Sequence, residues 1–343
     1  MSTSTDVSAV RYYDIRNARQ KWRVFCFFLG GRGIGKTYSS LDYVINSGKR
    51  FLYIRSTEKQ IQLSLTPDRG NPFKKWASDH NRNIFIRRGD DVNDIVELSQ
   101  GEEGETETIL GYAAALSTFE NLRGVDFSMI DLILYDEFIQ TRPFAFDAFR
   151  AFLNLYESVN RNRELSGGDP VRVFLLANTQ ELNSPLLAGF NLIGDIEQMK
   201  RSGQTRLSRG DIYVELCDSE ISELKSKSVL YRNLPDDDQY KREALNNEFS
   251  RNDFSGIGKP KNLREFRPVC NIDDLGIWGH KSKRLFYVCS ARSNKVASFN
   301  SKNQRGLFYR HYGGALTDAY AVNGLLSDSF LSRQKILEIL NII

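Results

Sequence analysis

The sequence predicts an α/β protein, a mostly parallel sheet followed by a smaller α+β domain. Three observations carry this. Short apolar runs rich in β-branched and aromatic residues alternate with segments of helical spacing, the pattern of strands buried on both faces. The first run is broken by a glycine-dense turn that leads straight into a helix. After about residue 245 the texture changes to short strands separated by Gly and Asn turns.

Taken in order, residues 11 to 21 are polar and precede the core. Arg23 to Leu29 (RVFCFFL) reads as a buried strand, and Thr37 to Asn46 as a helix. Phe51 to Arg55 (FLYIR) is a second strand, followed by a polar excursion with Pro67 and Pro72. Ile95 to Leu98 and Thr108 to Ala113 flank the acidic run GEEGE and predict a hairpin at the sheet's margin. Ile130 to Tyr135 (IDLILY) and Val171 to Ala177 (VRVFLLA) are core strands, with a helix over Phe144 to Val159 between them, and Ile212 to Leu216 is a candidate fifth strand. Part of Lys200 to Asp238, which ends in three aspartates, reads as a linker or lid. Beyond it, Gly276 to Trp278, Leu285 to Ser290 and Leu307 to Tyr312 are expected strands, and Ser332 to Leu340 a closing helix. The expected division is therefore a phosphate-loop domain over 1–200, a linker or lid over 201–245, and a basic domain over 246–343.

Composition narrows the class. At 343 residues the chain suits about two domains. Hydrophobic content of 41% and charged content of 26% are ordinary for a globular protein. No apolar run approaches the ~18 residues of a membrane span, and residues 1 to 10 lack the apolar core of a secretion signal, so an intracellular, membrane-free protein is expected. Cys26, Cys217, Cys270 and Cys289 form no closely spaced pair, and with three histidines in the chain neither a disulfide framework nor a zinc site is expected. They read as buried free thiols. The net charge is +4, but residues 241 to 343 carry an excess of +8 and residues 1 to 240 an excess of −4. A basic C-terminal third suits a polyanion, nucleic acid first, though ordinary surface charge would look the same.

The chemistry is concentrated in two motifs. Gly30-Gly31-Arg32-Gly33-Ile34-Gly35-Lys36-Thr37 matches G-x-x-x-x-G-K-[ST] at every fixed position, between a strand and a helix. A chance match in a chain this long has odds of roughly one in a hundred. Glycines let successive backbone N–H groups turn toward phosphate oxygens, and the helix N-terminus favours an anion. Lys36 is then the β/γ-phosphate contact, and the Thr37 hydroxyl a Mg²⁺ ligand. The second motif is Leu132 to Glu137 (LILYDE), an apolar strand ending in two acids. That end of an open α/β sheet is where ligands bind. Asp136 fits the metal carboxylate and Glu137 the base that polarises a water for attack on the γ-phosphate. ATP with Mg²⁺ is the implied ligand. Asn178, just past VRVFLLA, is a candidate sensor between water or γ-phosphate and the neighbouring strand. Arg161 and Arg163 in NRNREL are candidates for an arginine supplied to a neighbouring subunit's phosphate, and Arg123 in NLRG for a contact across an interface. Surface salt bridging is the plain alternative for all three.

Together GGRGIGKT, the Ser117 to Gly124 segment, LILYDEF, VNRNRE and LLANTQ resemble the DNA-packaging ATPases of short-tailed phages of the phi-twenty-nine type, relatives of terminase large subunits. The resemblance spans roughly residues 20 to 200. It implies an ASCE-type P-loop ATPase that works as a homo-oligomeric ring, a pentamer, docked on the portal (connector) of an empty procapsid in the host-cell cytoplasm. Hydrolysis would drive double-stranded DNA inward. By position Lys36 and Thr37 match the phosphate-binding pair, Asp136 and Glu137 the metal and base acids, Arg161 the trans-acting arginine and Arg123 a basic trans contact. The C-terminal third resembles the family more weakly. Terminases carry a ribonuclease H-like nuclease there, but here the expected strands carry no acid, Asp273 and Asp274 precede the first, and Asp318 and Asp328 fall near the last helix. Two-metal cleavage needs carboxylates converging around metals about 4 Å apart. A nuclease-like fold without nuclease activity is expected, its basic surface gripping DNA or a structural packaging RNA. A cellular helicase or translocase, and a nucleotide-regulated assembly scaffold, are the competing functions.

Overall fold

The structure, a computed structural model, describes residues 11–342 apart from 67–69, 90–91, 102–103, 123, 141–145, 179–181, 183, 236–237, 239–240, 242–244, 246–255, 259, 261 and 301. Two compact units emerge: residues 1–190 with 198–250, and residues 191–197 with 251–343. None of the described helices is long and apolar enough to cross a membrane.

The first unit is built on nine strands: β1 (Phe25–Gly30), β2 (Phe51–Arg55), β3 (Asn83–Arg87), β4 (Asn93–Gly101), β5 (Gly104–Ala115), β6 (Leu132–Asp136), β7 (Arg172–Asn178), β8 (Arg206–Arg209) and β9 (Ile212–Cys217). Their order is β3-β4-β5-β2-β6-β7-β1-β9-β8. From β5 through β9 every neighbouring pair is parallel. The two margins, β3-β4-β5 and β9-β8, are antiparallel. The helices of this unit are α1 (Lys36–Asn46), α2 (Glu58–Ser64), α3 (Lys74–Asp79), α4 (Ala148–Asn160), α5 (Pro185–Gly189), α6 (Ile193–Ser202), which runs across the boundary, α7 (Ile221–Ser226) and α8 (Val229–Arg232).

Away from their ends the parallel strands are almost wholly apolar because both faces are covered. Phe28 and Phe174 stack edge-on with Trp22 over one face, and Phe27 meets Phe138 and Phe190 on the other. Phe27 and Phe28 are fully buried, and truncating either to alanine would cost about 3–5 kcal/mol. One polar group breaks the pattern. Glu215 of β9 is buried, accepts from Tyr213 Oη at 2.6 Å and pairs with Arg206 of the edge strand at 3.0 Å. The edge strand thus supplies the cation that makes this buried carboxylate tolerable.

The predicted core strands and the helix after the glycine turn are all present. The acidic hairpin exists as β4-β5, but β5 is longer than predicted. Its C-terminal half joins the parallel core beside β2, so only its N-terminal half is marginal. Glu102 and Glu103 at its turn lie outside the described residues, as do Phe144 at the start of the expected 144–159 helix and Asp236 and Asp237. The presumed linker contributes β8, β9, α7 and α8 to the first unit.

The second unit holds a five-stranded sheet, β10 (Phe266–Ile272), β11 (Leu275–His280), β12 (Phe286–Cys289), β13 (Ser298–Phe299) and β14 (Leu325–Ser327), ordered β13-β10-β11-β12-β14. β10-β11-β12 is an antiparallel meander, and both outer strands pair in parallel. Helices α9 (Lys302–Phe308), α10 (Gly314–Ala321) and α11 (Phe330–Ile339) complete it. One expectation is corrected here: Leu307 to Tyr312 is not a strand. It is continuous helix, α9 passing through a π-helical turn (Tyr309–Gly313) into α10. The segment lacks β-branched residues, and its inward side chains fall at helical spacing. Phe308 and Tyr312 both pack on Phe299, with Leu316 buried in the same core. The four cysteines are buried free thiols.

Candidate functional site

Parallel register sets the site. Gly30 pairs with Asn178 across β1-β7, Asp136 with Leu176 across β6-β7, and Ile54 with Tyr135 across β2-β6. Four chain segments therefore end at one edge, delivering the glycine loop, Asn178, Asp136 and Arg55 side by side. The first three border a cavity of about 600 Å³, lined among others by Arg32, Lys36, Thr37, Asp136, Glu137 and Asn178. That is the size of an ordinary small-ligand pocket.

The loop's glycines are required by backbone and space. Gly33 (φ +72°) and Gly35 (φ +106°) occupy the left-handed region. A Cβ on Gly30 would come within 2.6 Å of the Cys217 carbonyl oxygen. Gly35 caps α1 without any side-chain bond, so the first amides of the helix point at the cavity unclaimed by a cap. Lys36 is buried and folds back onto the loop. Its Nζ donates to the carbonyls of Gly30 (2.9 Å) and Gly31 (2.7 Å) and to Asn178 Oδ1 (3.2 Å). Burial pulls its ammonium down to about 8, and an anion in the loop would offset that cost.

Opposite the loop, Thr37 Oγ1 donates to Asp136 Oδ1 at 3.1 Å. Tyr53 Oη and Arg55 Nη1 donate to Asp136 Oδ2 at 3.2 and 3.1 Å. Burial raises the carboxyl's pKa, and the Arg55 charge works against that rise. Glu137 follows in a left-handed conformation (φ +54°), uncommon for a residue with a side chain and a mark of functional backbone when the surroundings enforce it. Here they do: the Phe138 amide donates to Leu176 O at 3.1 Å, and Gln140 Nε2 to the Glu137 carbonyl at 2.5 Å. The half-exposed Glu137 side chain accepts from Arg55 Nη2 at 2.5 Å. Arg55 thus straddles both acids. The neighbouring hydroxyl and carboxylate are hard oxygen donors of the kind magnesium prefers.

The arginines lie elsewhere. Arg161 caps α4 in a left-handed conformation and bonds Asp126 Oδ1 (3.2 Å) and Val125 O (3.0 Å), its side chain half exposed. Arg163 bonds Asp131 Oδ1 (3.3 Å) and Ile130 O (2.6 Å). Arg163 therefore sits where the chain enters β6, whereas Asp136 is where it leaves, about 16 Å further at ordinary strand rise, and Arg161 is held to the segment before that entry. Neither reaches the acids of its own chain. Arg123 lies outside the described residues.

Three contributors were not predicted. Arg55 and Tyr53 carried a weak signal, a cation and a phenol near the end of a predicted core strand. Only the β2-β6 adjacency aims them at Asp136. Lys225 of α7 donates to the Arg32 carbonyl of the loop from 193 residues away, with no sequence signal at all.

A strand-loop-helix phosphate cradle facing a strand-end acid pair on a parallel sheet defines the class: a P-loop nucleotide-binding protein. Within that class, residues 7–302 match the family model described as podovirus DNA encapsidation protein (Gp16), and the chain belongs to that family. The DNA packaging proteins of Bacillus phages PZA and phi29 are each 26% identical over 278 residues, covering 78% of this chain and 76% of theirs. Among solved structures, a chain of the bacteriophage Phi-29 viral genome packaging motor assembly superposes with a TM-score of 0.66 at 20% identity, covering 96% of this chain and 98% of that one. A chain of the Phi-28 DNA packaging motor gives 0.57 at 17% identity, with the same coverage. These two likenesses establish the fold along nearly the whole chain.

Proposed function

We propose that this packaging protein hydrolyses ATP in the cavity beneath the glycine loop and couples that hydrolysis to movement of double-stranded DNA into a procapsid. One observation carries the reading: Thr37 and Asp136, distant in sequence, meet at 3.1 Å beside the loop, with Glu137 next to them. The loop amides and Lys36 would bind the phosphate chain, and Thr37 and Asp136 would hold Mg²⁺. That ion would neutralise charge on the β- and γ-phosphates. Glu137 takes the proton of the attacking water, and to do so it must leave Arg55. Asn178, bonded to Lys36, reports whether the γ-phosphate is present.

Arg161 is half exposed and bonds Asp126 and Val125, not Asp136 or Glu137, which suits service to the adjoining subunit of a ring, a pentamer at the portal, in the host cytoplasm. Arg163 is the less suitable of the two, being tied to the entry of β6, and Arg123 remains a second interface candidate. The part beyond about residue 245 is proposed as a ribonuclease H-like domain that binds DNA, or a structural packaging RNA, without cutting. Three of its acids support this by being separately engaged: Asp273 with Arg305 at 2.6 Å, Asp274 with Lys335, and Asp328 with the Ser290 amide at 2.9 Å. The test is protection of phage DNA from added nuclease in the presence of ATP and matching procapsids. Protection by wild type and none by Glu137→Gln is expected. Equal protection by both would remove Glu137 from the mechanism. Unwinding of a forked duplex without procapsids would favour a helicase instead.

A further inference from the structure

We propose that Lys225, on helix α7, is a second lysine for the phosphate chain and the latch by which a bound nucleotide holds the α7–α8 segment against the loop. The proposal rests on the loop being the triphosphate site and adds a residue and a segment to it.

Topology puts the segment there. β9 pairs with β1 in the register Gly30 to Cys217, so the chain leaving β9 emerges at the edge where the glycine loop begins. Eight residues later Lys225 lies across that loop. Its Nζ donates to the Arg32 carbonyl, and a Cβ on Gly33 would stand 3.0 Å from it. The absence of a side chain at Gly33 is what lets an ammonium approach so closely.

The two lysines are placed alike. Lys36 is seated on the carbonyls of Gly30 and Gly31, and Lys225 on the next carbonyl, that of Arg32. Two ammonium groups thus rest on three consecutive loop carbonyls, both facing neutral oxygens. Arg32 adds a third cation beside them, and burial together with the Arg32 charge holds the Lys225 ammonium below its usual range. Among the described residues neither ammonium is hydrogen-bonded to a carboxylate, and Asp136 and Glu137 act on Lys36 only through space. A polyphosphate in the loop is a stronger partner than a neutral carbonyl, since its oxygens carry charge and add Coulomb attraction to the hydrogen bond. The flexible four-carbon stem of lysine lets the ammonium turn from one to the other without moving the helix. Once turned, Lys225 ties α7 and the adjoining α8 to the presence of phosphate.

The experiment uses the full chain with MgATP, MgADP and inorganic tripolyphosphate as probes, in wild type, Lys225→Met and Lys225→Arg, with Lys36→Ala as reference. Lys225→Met keeps the apolar stem and should fold as wild type. It should bind both MgATP and tripolyphosphate about tenfold more weakly, the loss of one charged hydrogen bond, and Lys225→Arg should recover most of that loss. In wild type, MgATP should slow amide hydrogen exchange across residues 221–232, and Lys225→Met should abolish the slowing while still binding at saturating ligand. Wild-type affinity in Lys225→Met, or undiminished protection of 221–232, overturns the proposal. If wild type binds none of the probes, or Lys36→Ala binds them normally, the loop is not the phosphate site and both readings fall together.

Discussion

The two sheets of this protein both carry carboxylates near strand ends, yet only one set converges on shared partners. In the first unit, Asp136 and Glu137 stand at the exit of β6 between the exits of β2 and β7, and one arginine, one tyrosine and one threonine converge on them. In the second, Asp273, Asp274 and Asp328 each meet a different partner. The number of acids is similar. What differs is register: parallel neighbours bring strand ends to one edge in step, whereas a meander alternates its ends between two edges.

Substitutions can break this comparison. The largest effect belongs to Glu137→Gln, which should retain nucleotide binding and lose turnover by about 10²–10⁴-fold, the range of a general base; a steady-state phosphate-release assay beside a binding titration decides it, and undiminished release would assign the base elsewhere. Next is Arg55→Ala. It leaves buried Asp136 without its cation, and ligand-free stability should fall by about 3 kcal/mol in urea unfolding, with Mg²⁺ restoring part of the loss. An unchanged midpoint would mean that Arg55 is not what compensates the buried acid. Asn178→Ala should be milder, lowering turnover about tenfold through the lost hydrogen bond to Lys36; a change in ATP affinity without a change in turnover would make it a binding residue and not a sensor. Smallest is Asp273→Asn in the second unit. Its partner Arg305 is half exposed, so less than about 1 kcal/mol should be lost. Neither wild type nor this variant should nick plasmid DNA with Mn²⁺, and wild-type cutting that the substitution removes would make the second sheet a nuclease site after all.

Much of the first unit was legible because its signals are local. The apolar runs at β1, β2, β6, β7 and β9 mark strands buried on both faces, and the glycines mark a turn whose backbone needs their freedom. The Lys36-Thr37 and Asp136-Glu137 pairs are recognisable because each is contiguous in the chain. Misread segments were those where composition is ambiguous between periods. Leu307 to Tyr312 offers aromatic residues that suit either a strand or a helix, and its helical state depends on packing Phe308 and Tyr312 against Phe299.

The sequence alone determined the core strands of the first unit and the helix after the glycine turn, where the phosphate loop lies and which two acids follow a core strand, since each is written within a dozen residues. The tertiary structure decided which strands are neighbours. That choice turned Arg55 and Tyr53 onto Asp136, set Asn178 beside Lys36, carried Lys225 over the loop, and tied Arg161 to Val125 and Asp126. Pairing between strands is a non-local choice, made by burying whole faces at once, and periodicity within a single strand carries no record of its neighbour.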